Sequence, residues 1–323
     1  MKHFVKTILA LYFVLAGTGC RTTVQTIQAD SLKFLSLNIW GDYFGNPVAE
    51  REAAMEAAIL KDAPDIVSLQ EVTPNWWASP MFRNLEKAGY CIVRGDEEAA
   101  LCRAAFSGRR TALHINHEPL LYRRDRLMLL DSGTEFFHIA LQSSKSVTWA
   151  VLEDKIGKSR FVAFATHFWW QGNGAESDTI RELNARHVIS ILADIRRKWG
   201  SQIPAILGGD LNSNEASLAH QMLRSGGFMN AASKADIRSA HCSHHGNPVR
   251  GADGKYHGHI RSANTDKPEY SIDHIYFTKG IHPLRHEIGV YQEVLDITDH
   301  SPVLVEFSLS AEPVHISGKD DDR

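Results

Sequence analysis

What most limits the folds open to this chain is a repeated pairing, an apolar strand that ends on a polar residue fit for catalysis. It is clearest in Ile203-Pro-Ala-Ile-Leu-Gly-Gly-Asp-Leu-Asn-Ser213. The apolar run with Ile203, Ile206 and Leu207 predicts a buried strand. At Gly208-Gly209 the missing side chains allow a sharp turn or a close approach of another group. Asp210 and Asn212 follow at an i, i+2 spacing, which on extended backbone puts both side chains on one face. A carboxylate and an amide presented together suit a hard cation, or a water that must be held and deprotonated. Gly, Asp and Asn are also common at ordinary strand exits, so the motif draws its weight from recurrence.

The pattern does recur. Ser31 to Leu37 alternates and lands on Asn38, and Asp65 to Gln70 leads to Glu71. Glu118 opens the short strand pattern that runs to Arg123, and Thr148 to Glu153 adds another. Phe161 to Thr166 ends on His167. Tyr270 to Phe277 carries Asp273 inside it, and Thr298-Asp299-His300-Ser-Pro302 leads into a last strand, Val303 to Leu309. Helical patterns separate these strands: one from Pro47 to Leu60, one from Trp76 to Lys87, and a short one from Glu215 to Arg224. The longest runs from Ala175 to Trp199, where Ile180, Leu183, Val188, Ile191, Ile195 and Trp199 recur at helical spacing. Residues 94–116 read as an irregular insertion, and Asp236 to Lys267 as a long loop rich in His, Gly, Ser and Asn. Strands and helices alternate without a linker, which predicts one α/β domain over residues 31–310.

An apolar fraction of 43% and a charged fraction of 23% are those of a globular protein with a full core. The N-terminus reads as an export signal: Lys2 and Lys6, an apolar run from Ile8 to Leu15, then Ala16-Gly-Thr-Gly-Cys20. Cys20 after small residues resembles a bacterial lipobox. Residues 1–19 are therefore expected to be removed, with Cys20 lipidated as the first mature residue and residues 20–30 serving as a linker. The expected location is the cell envelope, as an outer-membrane lipoprotein or a periplasmic or secreted protein. Residues 311–323 form a polar tail. Loss of Lys2 and Lys6 takes the formal charge from −3 to −5, which is no footprint for a long nucleic acid. Cys91 and Cys102 are spaced to close a surface disulfide, and inert thiols at these positions and at Cys242 are the equal alternative.

Strand ends on one edge of a layered sheet converge on a crevice, so Asn38, Glu71, Glu118, His167, Asp210, Asn212, Asp273, Asp299 and His300 are expected to share one site. Glu71 and the amides offer oxygen ligands to Mg²⁺ or another hard cation. Two histidines with spare carboxylates allow each imidazole to be oriented and kept cationic. Such a set suits transfer at phosphorus. Together, Leu37-Asn38, Leu69-Gln-Glu71-Val, Thr166-His167, Gly209-Asp210-Leu-Asn212, Ile272-Asp273-His-Ile and Thr298-Asp299-His300-Ser-Pro resemble the endonuclease/exonuclease/phosphatase superfamily. The resemblance covers nearly the whole chain after the signal. It implies a four-layer α/β sandwich, two packed mixed β-sheets flanked by helices.

It also implies roles. Asn38, Glu71 and Asp299 would serve the metal, Mg²⁺ with Mn²⁺ or Ca²⁺ as substitutes, and Asp210 would orient or deprotonate the attacking water. Asn212 and His167 would contact the scissile phosphate with Glu118 behind His167, and Asp273 would orient His300. Arg181 and Asn184 resemble an Arg-x-x-Gln signature with Asn in place of Gln, and Tyr256-His257-Gly258 resembles a Phe-His-Gly signature. Both mark substrate-contact candidates. Trp169 and Trp170, after Phe168, are candidates for an apolar wall, or else pack on the domain's own surface. His241, His244, His245, His257 and His259 show no tight ligand spacing and read as a solvated loop rather than a zinc site. The expected function is hydrolysis of a phosphodiester or phosphomonoester, with a small phosphorylated metabolite or lipid head group ahead of nucleic acid. The alternatives are an exported nuclease and a catalytically silent binding protein on the same fold. No protein partner is implied, and a monomer is expected.

Overall fold

The computed structural model describes residues 31–93, 115–137, 145–172, 174–260 and 270–309. The signal, Cys20, Cys102, most of the 94–116 insertion and the polar tail lie outside them. Fifteen strands form among the described residues. One mixed sheet holds, in spatial order, β10 (Ile237–Arg238), β14 (Ile281–Ile288), β15 (Val303–Leu309), β1 (Ser31–Asn38), β2 (Ile66–Gln70), β4 (Leu120–Arg123) and β3 (Tyr90–Ile92). The other holds β5 (Leu127–Phe136), β6 (Ser146–Asp154), β7 (Arg160–His167), β8 (Ala205–Asp210), β13 (Asp273–Phe277) and β9 (Met229–Asn230). A small hairpin pairs β11 (Val249–Arg250) with β12 (Tyr256–His257) inside the expected long loop.

The inner faces of the sheets share one apolar core, in which Phe34, Ile66 and Val305 meet Ala163, Ile206 and Ile275. Helices α1 (Glu52–Leu60), α2 (Pro74–Ala78) and α3 (Pro80–Lys87) cover the outer face of the first sheet through Met55, Trp76 and Leu85. Helices α4 (Ala175–Trp199) and α5 (Leu218–Ser225) cover the second through Val188, Leu192 and Leu223. The result is a four-layer α/β sandwich. No helix among the described residues is long and apolar enough to cross a membrane.

Local chemistry explains where the structure departs from the sequence pattern. The helix expected from Trp76 to Lys87 is broken at Ser79, whose ψ of 157° is extended; Pro80 disfavours the helical conformation in the residue before it. Asp273 is not inside its strand but is its first residue. The Gly208-Gly209 pair makes no turn. β8 runs straight through it, and a Cβ at Gly208 would lie 2.3 Å from the Phe34 ring while one at Gly209 would lie 2.2 Å from the Thr166 carbonyl oxygen. These glycines serve close packing of sheet on sheet and strand on strand. The ten-residue strand β5 carries no clean alternation, and β14 is interrupted by Pro283 with a register shift beside it; neither stands out in the sequence.

Topology then sets the site. β1 and β2 are parallel, as are β7 and β8, so four strands finish on the same edge. β4, β6, β13 and β15 are antiparallel to those neighbours and therefore begin there. Glu118 thus reaches the edge on the approach to β4, at the opening of the strand where the sequence pattern has it. In the second sheet His167 and Asp273 both stand in register with Asp210.

Candidate active site

Asp210 is at the centre. Its Oδ2 accepts a hydrogen bond from the Asn38 amide at 3.1 Å and lies 3.3 Å from His167 Nε2 and 3.8 Å from His300 Nε2. Its Oδ1 accepts from the Asn212 backbone N–H at 2.9 Å. The same Asn38 nitrogen also donates to Glu71 Oε1 at 3.1 Å, while Glu71 Oε2 accepts from Gly41 N–H at 2.7 Å. The Asn212 amide nitrogen sits 2.9 Å from His167 Nε2 and donates to the Phe168 carbonyl at 3.2 Å. His300 Nδ1 meets Asp273 Oδ2 at 2.7 Å, and its Nε2 lies 3.8 Å from Asp299 Oδ1. Residues from six separate stretches of chain therefore share one cluster.

The strand exits are held in unusual conformations. Trp40, Glu71 and Asn212 have φ of 55°, 62° and 50°, in the left-handed region that costs a side-chain-bearing residue roughly 1–3 kcal/mol. The turn at Glu71 sends its carboxylate back over the edge instead of along the strand, and the turn at Asn212 does the same for its amide. Arg51 fixes the opposite wall. Its buried guanidinium donates to the carbonyls of Ile39, Trp40, Asn46 and Ile297 at 2.9–3.1 Å, tying the exit of β1 to the approach of Asp299. Thr298 adds a second stitch, its Oγ1 donating to the Asn38 carbonyl at 2.8 Å and accepting from His300 N–H at 3.2 Å.

Electrostatics sorts the groups. Burial works against charge on Asp210, but hydrogen bonding from His167, the charge of His300 and the Asn212 N–H outweigh it and hold the carboxyl below the usual range. Burial likewise opposes charge on His300, yet Asp273 and Asp299 hold its imidazole well above the ordinary value. Burial and then the neighbouring Lys145 push His167 down. Glu118 is pushed up to about 8 by burial, against the pull of Lys145.

Lys145 was not legible in the sequence, and it changes the expected His167–Glu118 pairing. Its Nζ lies 2.7 Å from His167 Nδ1, whereas Glu118 Oε1 is 3.9 Å from that nitrogen. Glu118 instead accepts from Ser146 Oγ at 2.5 Å. A lysine just before a strand reads as solvated; the pairing of β6 with β7 buries it. His244 also arrives unannounced, its Nε2 3.7 Å from Asp299 Oδ2.

Other candidates do different work. Arg181 is buried and donates to the carbonyls of Trp169 and Gly172, both at 2.8 Å, and Asn184 Oδ1 accepts from Trp169 N–H at 3.1 Å. Both hold the loop after His167 in place and present no open face to a ligand. Phe168 is core, Trp169 is half-buried and Trp170 is exposed. His257 pairs with Asp253 of its own hairpin at 3.0 Å. A cavity of about 510 Å³ lined by Asp42, Asn46, Glu52 and Asn75 opens beside the loop that follows Asn38, and no member of the cluster lines it.

The donors fit a divalent cation. Carboxylate oxygens of Glu71 and Asp299 are hard ligands, and the lone pairs of Glu71 are not exhausted by two hydrogen bonds; Asn38 turns its NH2 to Glu71 and Asp210 while its Oδ1 accepts from Trp40 N–H at 3.0 Å, so its oxygen would serve a cation only with the amide turned over. Asp273 Oδ1 and Glu118 Oε1 are buried oxygens with no hydrogen-bond donor.

The model of the endonuclease/exonuclease/phosphatase family matches residues 35–300, the span from β1 to His300. The chain belongs to this family. As a member it is a metal-dependent hydrolase of phosphate ester bonds. Among solved structures, a family protein from Bacteroides vulgatus is similar at 21% identity with a TM-score of 0.63, covering 87% of this chain and 100% of its own. A Bacteroides thetaiotaomicron mannosyl-6-phosphatase is similar at 19% and 0.61, covering 86% and 100%. The human Nocturnin catalytic domain, with a bound sulfate anion, follows at 18% and 0.62, covering 87% and 94%. Identities this low bear on the family fold alone. No curated protein matches the chain.

Proposed function

We propose that the protein is an exported, Mg²⁺-dependent phosphoesterase that hydrolyses a small phosphorylated metabolite or a lipid head group by in-line attack of water. The observation that carries this is geometric: Asp210 Oδ2 stands 3.3 Å from His167 Nε2 and 3.8 Å from His300 Nε2, with the Asp273 carboxylate 2.7 Å behind His300.

In this reading Asp210 orients the water and takes its proton. His300, held by Asp273, meets the charge that develops on the phosphoryl oxygens. His167 and Asn212 contact the scissile phosphate; with its imidazole neutral, His167 does so as a hydrogen-bonding group and not as a second cation. Asn38, Glu71 and Asp299 would hold Mg²⁺, which supplies charge neutralisation to the phosphate when bound. Net acidity supports a small substrate over a long polyanion. The similar mannosyl-6-phosphatase favours the same class. Export rests on the basic, apolar and small-residue order of residues 1–20.

The test uses the purified chain without residues 1–19, a chromogenic phosphodiester and a chromogenic monoester. Hydrolysis of at least one, abolished by chelator and restored by Mg²⁺, is expected. Silence on both under saturating Mg²⁺ and across a panel of sugar phosphates, phosphoinositides, sphingomyelin and nucleic acids would leave the binding-protein reading. For export, Cys20→Ser should release a detergent-partitioning protein into the soluble periplasm; a mature N-terminus beyond residue 20 rules the anchor out.

A further inference from the structure

The loop that follows Asn38 carries two aromatic rings that the core does not take up. Tyr43 is 55% exposed and Phe44 73%, the most open large apolar side chain among the described residues. Their rings meet edge to face, with centroids 6.4 Å apart and planes at 74°, and so form an open corner.

The loop itself is fixed. Buried Asn46 donates from its amide to the Gly41 carbonyl at 2.9 Å and accepts from the Phe44 N–H at 3.2 Å. Asp42 accepts from Thr73 Oγ1 and from the Asn75 amide. Arg51 donates to the Asn46 carbonyl at 3.0 Å, and Tyr256 Oη donates to that of Gly45 at 3.2 Å. Gly45 supplies the φ of 74° that the turn requires. Rings on a mobile loop lose affinity to the ordering that binding demands, and here the loop is ordered beforehand.

The corner is continuous with the catalytic cluster. Gly41 N–H donates to Glu71 Oε2 at 2.7 Å, and the Tyr43 ring lies against the same glycine, where a Cβ would stand 2.3 Å from Cε2. Tyr43 Oη reaches Nδ1 of His117, the residue before Glu118, at 3.3 Å. Burial, and then Glu71, Glu118 and Asp42, raise the phenol above its ordinary value, as befits a hydroxyl turned towards these carboxylates while its ring stays open.

We propose that Tyr43 and Phe44 seat the alcohol part of the substrate, and that this part carries a ring, aromatic or saturated, which packs into the corner. Two apolar walls near a right angle offer a face on one side and an edge on the other, the two favoured contacts of an aromatic ring. A methyl-sized group would leave one wall wet. The seat rests on the phosphoesterase reading, with the phosphate at Asp210 and His300 and the ring at Tyr43 and Phe44.

The chain without residues 1–19, with Mg²⁺, is titrated calorimetrically with methylphosphonate, cyclohexylphosphonate and phenylphosphonate. None is an ester, so turnover does not interfere. A ring ligand is expected to bind roughly fivefold tighter than methylphosphonate. Preference for phenyl alone names an aromatic alcohol, and preference for both rings admits a saturated one such as a sugar. Phe44→Ala and Tyr43→Leu should each bring the ring ligands to within about twofold of methylphosphonate, whereas Tyr43→Phe keeps the ring and the preference. Ile156→Ala, at an exposed residue on the turn between β6 and β7 at the opposite edge, should change nothing. Equal affinity for the three phosphonates, or an intact preference in Phe44→Ala, overturns the seat alone. Failure to bind any phosphonate overturns it together with the phosphoesterase reading. Binding to phosphatidylcholine vesicles that Phe44→Ala abolishes, without any ring preference, assigns the corner to a lipid surface instead.

Discussion

At the scale of single residues, the cluster gives each carboxylate a different task, and substitution should separate them. Asp210→Asn removes the proton acceptor while keeping shape, so kcat should fall by roughly two to four orders of magnitude with KM nearly unchanged. Glu71→Gln should weaken Mg²⁺ while the fold persists, and excess metal should restore part of the activity; an unchanged metal titration removes Glu71 from the ligand set. His300→Ala should do damage comparable to Asp210→Asn. Because Asp273 raises the imidazole of His300, activity needing that cation is present below its elevated pKa and lost as pH rises through it. Asp273→Asn should therefore bring the upper pH limit down. The double mutant Asp273→Asn/His300→Ala should be little worse than His300→Ala alone, since the pair acts as a unit. Multiplicative losses would show that Asp273 does not act through His300.

Whole strands and loops depend on a few close approaches. Arg51, between the rings of Trp40 and Trp76, donates to four carbonyls on two segments, of which that of Trp40 also accepts from Trp76 Nε1 at 3.4 Å. Arg51→Met keeps the bulk and loses every donor. Because stranded buried carbonyls each carry a desolvation cost, a loss of roughly 3–5 kcal/mol is expected in urea unfolding. A loss below about 1 kcal/mol would mean that water replaces the guanidinium. Gly209→Ala would drive a methyl group into the Thr166 carbonyl, since a Cβ there lies 2.2 Å away. The strain should cost about 1–3 kcal/mol and part β7 from β8, moving His167 relative to Asp210. Activity should fall further than the lost stability accounts for, measured at a temperature where the variant is fully folded.

For the molecule as a whole, acid is the weakness. Behind the active edge, His220 and His274 both direct a ring nitrogen at the Ser213 carbonyl, at 3.0 and 3.1 Å, and so hold the turn that carries Asn212. Burial pushes His274 and His286 down to about 4 and depresses His220 as well. Below pH 6.5 the unfolded chain binds protons that the folded chain refuses, so stability falls as pH drops from 6.5 towards 4. Each such histidine removes up to about 1.4 kcal/mol per pH unit in that window. A urea midpoint that is flat between pH 7 and 5 would show that these imidazoles titrate normally in the fold.

Sequence by itself determined the strands that end on Asn38, Glu71, His167 and Asp210, the long helix α4, the alternation that makes an α/β domain, and the family. Those signals are local: apolar runs, fixed spacings and motif residues beside one another in the chain. It did not determine β5 or β14, which lack clean alternation, nor that Asp273 opens its strand at the site edge. Tertiary structure alone decided that Gly208-Gly209 serves close packing, that Lys145 lies against His167, that Arg181 and Asn184 turn inward to a loop, and that His244 reaches Asp299. Each of these depends on which strands pair and in which sense. A pairing made between residues tens to hundreds of positions apart leaves no mark on the local pattern of either partner.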